Sequence, residues 1–175
     1  MSRFKLSLLT LLTSLLFIAN TMAVDFTQND VGALGVQNLK VVNGSTLASG
    51  QPTAEQLEAL AKAGVKHVVN LRPRSEMDWD EAALVEKLGM AYHSIPVAGK
   101  PGITSDNARI LDDVLAELSG QPVLVHCSSG NRVGSLIAVG AHEIHDASVD
   151  EALAKGSDWG LTRLTSFVRG KLEGQ

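Results

Sequence analysis

Short apolar runs of strand length alternate along most of this chain with longer segments whose apolar residues recur at helical spacing. Leu39 to Val42 reads as an edge strand, closed by a turn at Asn43-Gly44. Thr53 followed three residues later by Gln56 predicts a capping box. The helix it starts runs through Ala63, carries Leu57, Leu60 and Ala61 on one face, and stops at Gly64. Val65 to Leu71 is strand-like, Arg72 to Asp78 a polar loop, and a second helix runs from Asp80 to Leu88 before Gly89. Ala91 to Val97 predicts another strand and Ala98 to Gly102 a flexible loop. Thr104 or Ser105 caps a helix that places Ile110, Leu111, Val114, Leu115 and Leu118 on one apolar side. Pro122 to Val125 reads as a buried strand and Val133 to Ala141 as a buried helix, with one or two short helices between Val149 and Leu172. Residues 24–37 read as a loosely structured entry.

Strands alternating with helices predict an α/β fold: a mainly parallel central sheet of about four to five strands, flanked by helices on both faces. Ligands bind such sheets beyond the carboxyl ends of the strands. That places attention on the segment after Val125.

The first 23 residues have a different pattern. Arg3 and Lys5 precede a leucine-rich apolar stretch from Leu6 to Ala19, and Thr21-Met22-Ala23 offers small residues at the outer positions of a cleavage site. Residues 1–23 are expected to be a signal peptide and 24–175 one domain, periplasmic or secreted, with no stable membrane anchor after cleavage. Loss of Arg3 and Lys5 would take Lys+Arg from 15 to 13 against 19 Asp+Glu, a formal charge of −6. Such a balance argues against nucleic acid as a partner. One cysteine allows no internal disulfide.

That cysteine lies in His126-Cys127-Ser128-Ser129-Gly130-Asn131-Arg132, between the buried strand and the buried helix. A strand, a tight polar loop and a helix start converge loop N–H groups and the positive helix end on one point, which makes an anion site. A cysteine there is a candidate nucleophile, because the thiolate is the reactive form. Arg132 adds a planar fork for two oxygens of a phosphate. Ser128, Ser129, Gly130 and Asn131 are small and carry no negative charge, so they can line the anion; Gly130 can take the positive φ that turns amides inward. His126 is placed to support the loop.

The segment resembles the signature of the cysteine-dependent phosphatases: His-Cys, five residues, Arg, then Ser or Thr. Cys127, Gly130 and Arg132 match the nucleophile, loop glycine and phosphate-gripping arginine. Only four residues separate Cys127 from Arg132, and Val133 stands where the hydroxyl residue would be. The shorter loop is similar to that of a bacterial branch, the phosphatase-like domain found fused to beta-lactamase-like hydrolases. Ser49-Gly50-Gln51-Pro52, Val68-Val69-Asn70-Leu71-Arg72-Pro73 and Ile95-Pro96-Val97 also resemble that branch, so the likeness spans residues 38–145.

The resemblance implies a phosphatase-like fold and a phosphocysteine route needing no cofactor or metal. Its substrate would be a phosphorylated protein or a small phosphomonoester, aryl esters such as phosphotyrosine included. The substrate-binding set would be Ser128, Ser129, Gly130, Asn131 and Val133, with His126 and Arg72 supporting the loop. Val97 to Thr104, where related dual-specificity enzymes carry the general acid, holds no carboxylate. Glu76 resembles a family acidic position and is the candidate acid; Asp78 and Asp80 on the same loop and Asp106 at a helix start are the other candidates. The same four-residue spacing also resembles rhodanese-type sulfurtransferases, where Cys127 would carry a persulfide. A third reading is a non-catalytic phosphate- or phosphoprotein-binding domain. His142 and His145 share a helical face but lack the spacing of a zinc-protease pair, and they suit a helix end better than a metal.

Overall fold

The computed structural model describes residues 24–174; the expected signal peptide lies outside the described residues. Five strands form one sheet: β1 (Lys40–Asn43), β2 (Thr46–Ser49), β3 (His67–Asn70), β4 (Ala91–Ser94) and β5 (Val123–His126). Their spatial order is β1-β2-β5-β3-β4, with β1 antiparallel to β2 and every other pair parallel. The expected α/β architecture is therefore present, and β5, which delivers the cysteine, is its central strand.

Side chains on a strand alternate between faces, and the core divides accordingly. Val123, Val125, Val69 and Ala48 belong to one apolar cluster, while Leu124, Val68 and Leu47 belong to the other. Four helices supply the first cluster: α4 (Ser105–Glu117), α5 (Asn131–Glu143), α6 (Val149–Asp158) and α7 (Thr165–Leu172). On the opposite face lie α1 (Gln28–Gly32), α2 (Ala54–Lys62) and α3 (Glu81–Lys87). No helix among the described residues is long and apolar enough to cross a membrane.

The helix starts follow the local chemistry. Thr53 and Gln56 form the full capping box of α2; Asp80 and Thr104 accept the Ala83 and Asn107 backbone N–H groups at the starts of α3 and α4. Two readings need correction, and one strand had no sequence-based expectation. Residues 24–37 are not a loose entry: Phe26, Val31 and Val36 are buried beneath α1 and its flanks. Thr46–Ser49 is a strand buried at all four positions, although its polar letters hid it. Ile110 is 47% exposed, because the buried side of α4 is built on Ala108 and Leu111.

Two glycines let α5 and α6 approach closely. A Cβ on Gly134 would lie 2.3 Å from the Leu161 nitrogen and 2.4 Å from the Gly156 oxygen. Both obstacles are backbone, so the helices must part. That cost exceeds the roughly 1 kcal/mol by which helix propensity favours alanine over glycine. Gly134→Ala is expected to destabilise by about 2 kcal/mol net and to lower Tm by roughly 4–8 °C in a thermal melt.

Candidate active site

The carboxyl ends of β2, β5 and β3 present Ser49, His126 and Asn70 side by side. The chain leaves β5 at Cys127 and enters α5 at Gly130, whose φ of +83° lies in the left-handed region that glycine tolerates. This turn aims the Gly130 N–H at the cysteine: its nitrogen is 3.1 Å from Cys127 Sγ. The thiol is fully buried, and the positive end of the thirteen-residue α5 faces it. An N–H group and a helix start directed at one point make a cradle for an oxyanion beside the sulfur. The loop is tied down from below, where Ser128 O accepts the Gln51 N–H at 3.3 Å and Ser129 O accepts from Asn38 Nδ2 at 3.1 Å.

Arg132 is 7% exposed, and its four terminal N–H groups all have partners. Nη1 donates to Glu76 Oε1 at 2.9 Å and to Val97 O at 2.7 Å; Nη2 donates to Glu76 Oε2 at 2.6 Å and to Ser128 Oγ at 3.2 Å. Glu76 thus holds the fork two-handed, as a phosphate would. Arg72 supports Glu76 from behind. Its Nε lies 3.6 Å from Glu76 Oε2, Nη2 donates to the Glu76 carbonyl, and Nη1 donates to Gln51 Oε1 at 2.7 Å.

This pairing changes the role open to Glu76. Its hydrogen bonds from Arg132 hold the carboxyl below the usual carboxylate range, outweighing the opposing effect of burial. At neutral pH it has no proton to donate while it grips Arg132, so the general-acid role does not fit this arrangement. Asp80 is occupied in capping α3, and Asp106 lies in the first turn of α4.

Behind the loop lies a network that sequence reading missed. Glu81 is 2% exposed and accepts from Gln51 Nε2 at 2.6 Å, Asn70 Nδ2 at 2.7 Å and Tyr92 Oη at 3.3 Å. His126 Nε2 faces Glu81 Oε2 at 3.3 Å. Burial pushes the Glu81 carboxyl up, yet His126, Gln51 and Tyr92 together bring it below its ordinary value. His126, next to the nucleophile, thus lies against a buried carboxylate, with neither ring nitrogen in hydrogen-bond geometry to a partner. The only sequence-level hint is a glutamate one residue inside the start of α3, which reads as a dipole partner.

Of the expected substrate-binding set, Val133 lies away from the cleft, and Asn131 lines it while also bracing a neighbouring connection. Val133 is fully buried in the core shared with Cys127, because helical geometry turns it inward. The Asn131 side-chain oxygen accepts from Thr162 N, Thr162 Oγ1 and Leu164 N at 3.0, 3.2 and 3.3 Å, fastening the α6–α7 connection to the loop. Ser128, Ser129, Asn131 and Arg132 line a cleft of about 270 Å³, with Glu76, Lys100 and Arg163. His142 and His145 go to separate partners, Ala147 O at 2.7 Å and Asp112 Oδ1 at 2.9 Å.

Comparison with known proteins agrees with this geometry. Residues 15–166 match the family described as DSP-PTPase phosphatase fused to NAD+ kinase. A Beta-lactamase hydrolase-like protein of Xylella fastidiosa (strain 9a5c) is 33% identical over 137 residues, which cover 73% of this chain and 31% of that protein. One from Agrobacterium fabrum is 34% identical over 104 residues, 57% of this chain and 24% of that protein. The chain thus spans under a third of these curated relatives. Among solved structures, a DUF442 protein of Shewanella putrefaciens CN-32 superposes with a TM-score of 0.63 at 22% identity, over 85% of this chain and 97% of that one. The core catalytic domain of the PP-IP phosphatase SIW14 from S. cerevisiae gives 0.62 at 18% identity, over 79% and 85%. At these identities the likeness concerns the fold. With most of its length matched by the family model, the chain belongs to the phosphatase family described as DSP-PTPase fused to NAD+ kinase.

Proposed function

We propose that the chain is an exported cysteine-dependent phosphatase that hydrolyses phosphomonoesters, with phosphotyrosine and other aryl esters as the preferred class. The observation that carries the reading is the Gly130 N–H directed at Cys127 Sγ, with Arg132 two residues further along the same helix start. In the first step the Cys127 thiolate attacks phosphorus, the S–P bond forms and the P–O bond to the leaving group breaks. Loop N–H groups and Arg132 take up the charge on the equatorial oxygens. Water then attacks the phosphocysteine, the P–S bond breaks, and inorganic phosphate leaves with the thiolate restored.

The Arg132 fork is full, so bidentate capture of a phosphate requires Glu76 to swing aside. Released, the carboxylate can take the proton of the attacking water in the second step. With no neutral acid at hand in the first step, phenolates should leave more readily than alkoxides. Export is supported by the basic start at Arg3 and Lys5, the apolar stretch after it and Thr21-Met22-Ala23.

One paired assay tests the reading. Protein beginning at Val24, and the same protein with Cys127→Ser, are given p-nitrophenyl phosphate, or thiosulfate with cyanide. Cys127-dependent phosphate release is expected. Thiocyanate formation would favour the persulfide reading instead, and neither product would leave a binding domain.

A further inference from the structure

The cleft above the loop is lined by three cations, Lys100, Arg132 and Arg163, against the one carboxylate of Glu76. Arg132 is neutralised by Glu76, and Arg72 shares the same carboxylate. Two other cations line the cleft and make no ion pair with a carboxylate among the described residues: Arg163 and Lys100. Both are exposed. Arg163 comes from the α6–α7 connection, and its Nη2 donates to Ser129 Oγ at 3.2 Å. Lys100 comes from the loop before α4, with Nζ 5.4 Å from the centre of the Phe167 ring on α7. The chain as a whole is acidic, at −4, so two unmatched cations in one cleft run against the average composition.

Their placement is specific. Arg132 Nη2 bonds Ser128 Oγ and Arg163 Nη2 bonds Ser129 Oγ, at the same 3.2 Å. The serines are consecutive, with Cα atoms about 3.8 Å apart. The two guanidinium groups are therefore anchored on neighbouring residues of the loop and line one cleft. Asn131 fixes this relation, since its side chain ties residues 162 and 164 to the start of α5. Arg163 is thereby held on the same rigid unit as Cys127.

We propose that Arg163 and Lys100 form a second anion subsite, which selects substrates carrying another phosphate beside the one that is cleaved. The inference rests on the phosphatase reading and narrows its substrate class. In the bound state the phosphate to be transferred sits on the loop N–H groups and Arg132, while its neighbour takes charge-assisted hydrogen bonds from Arg163 and Lys100.

Binding to the Cys127→Ser protein tests this without requiring turnover. Inorganic phosphate and pyrophosphate are titrated calorimetrically at one ionic strength. Pyrophosphate is expected to bind about tenfold more tightly, the order expected of a charge-assisted contact. Adding Arg163→Gln or Lys100→Gln should each reduce that preference to about threefold or less, while Lys62→Gln on the far α2 helix leaves it intact. No preference for pyrophosphate, or a preference that survives both cleft substitutions, overturns the subsite while phosphate binding still supports the cradle. If neither anion binds, the cradle itself fails and the subsite with it.

Discussion

Cys127→Ser is expected to lower kcat for p-nitrophenyl phosphate by at least about a thousandfold, since the serine hydroxyl lacks an adjacent base to ionise it. The affinity for inorganic phosphate should change by only a few-fold. The groups that hold the anion, the loop N–H donors and Arg132, are backbone or belong to other residues, and they survive the substitution. The split between kcat and binding makes the result informative. Steady-state kinetics together with phosphate calorimetry would show it. A variant that lost binding and turnover equally would mean that the sulfur only holds the loop in shape.

The second large effect concerns stability. Glu81→Ala is expected to cost about 3–5 kcal/mol, the range for removing one partner from a buried charged network. Gln51 and Asn70 lose an acceptor, Tyr92 loses another, and His126 loses the carboxylate 3.3 Å from its ring. Tm should fall on the order of 10 °C. Glu81→Gln keeps one oxygen acceptor and should cost less. The pH dependence has a definite sign. The folded-state pKa of Glu81 is depressed, so its contribution is complete above the unfolded-state glutamate value and disappears as acid takes the pH down through the folded-state value. Chemical denaturation at several pH values should therefore show the gap between native protein and Glu81→Gln holding from neutrality to the ordinary glutamate range, then closing. A gap that widened with acid would contradict the assignment.

The parts of this molecule legible in the sequence are those whose physics is local. The capping box at Thr53 and Gln56, the N-caps at Asp80 and Thr104, and the strand–loop–helix around Cys127 all depend on residues a few positions apart. Thr46–Ser49 escaped because its burial comes from lying between β1 and β5, not from its own composition. Ile110 was misplaced because a helical face of some width contains both inward and rim positions, and only the neighbouring helix decides between them. In the site, Cys127, Gly130 and Arg132 could be found together. The bond between Glu76 and Arg132 spans 56 positions, and that between Arg163 and Ser129 spans 34. Nothing in the order of residues shows such pairs until the sheet closes. Val133 illustrates the opposite error: a neighbour in the motif, it is turned by the helix into the core.

The two serines that could stand in for the missing hydroxyl after Arg132 are both engaged by arginines, Ser128 by Arg132 and Ser129 by Arg163. Neither serine is hydrogen-bonded to Cys127 Sγ, whose partner among the described residues is the Gly130 N–H, so no hydroxyl is set to ease departure of sulfur in the second step and the covalent intermediate should accumulate. The most direct test mixes the unmutated protein with excess aryl phosphate, quenches with denaturant during the first turnovers and measures peptide masses. One phosphoryl group on the peptide containing Cys127, absent from Cys127→Ser, is the expected result. Steady turnover with that peptide unmodified at every time point, or the phosphoryl group on another residue, would contradict the mechanism.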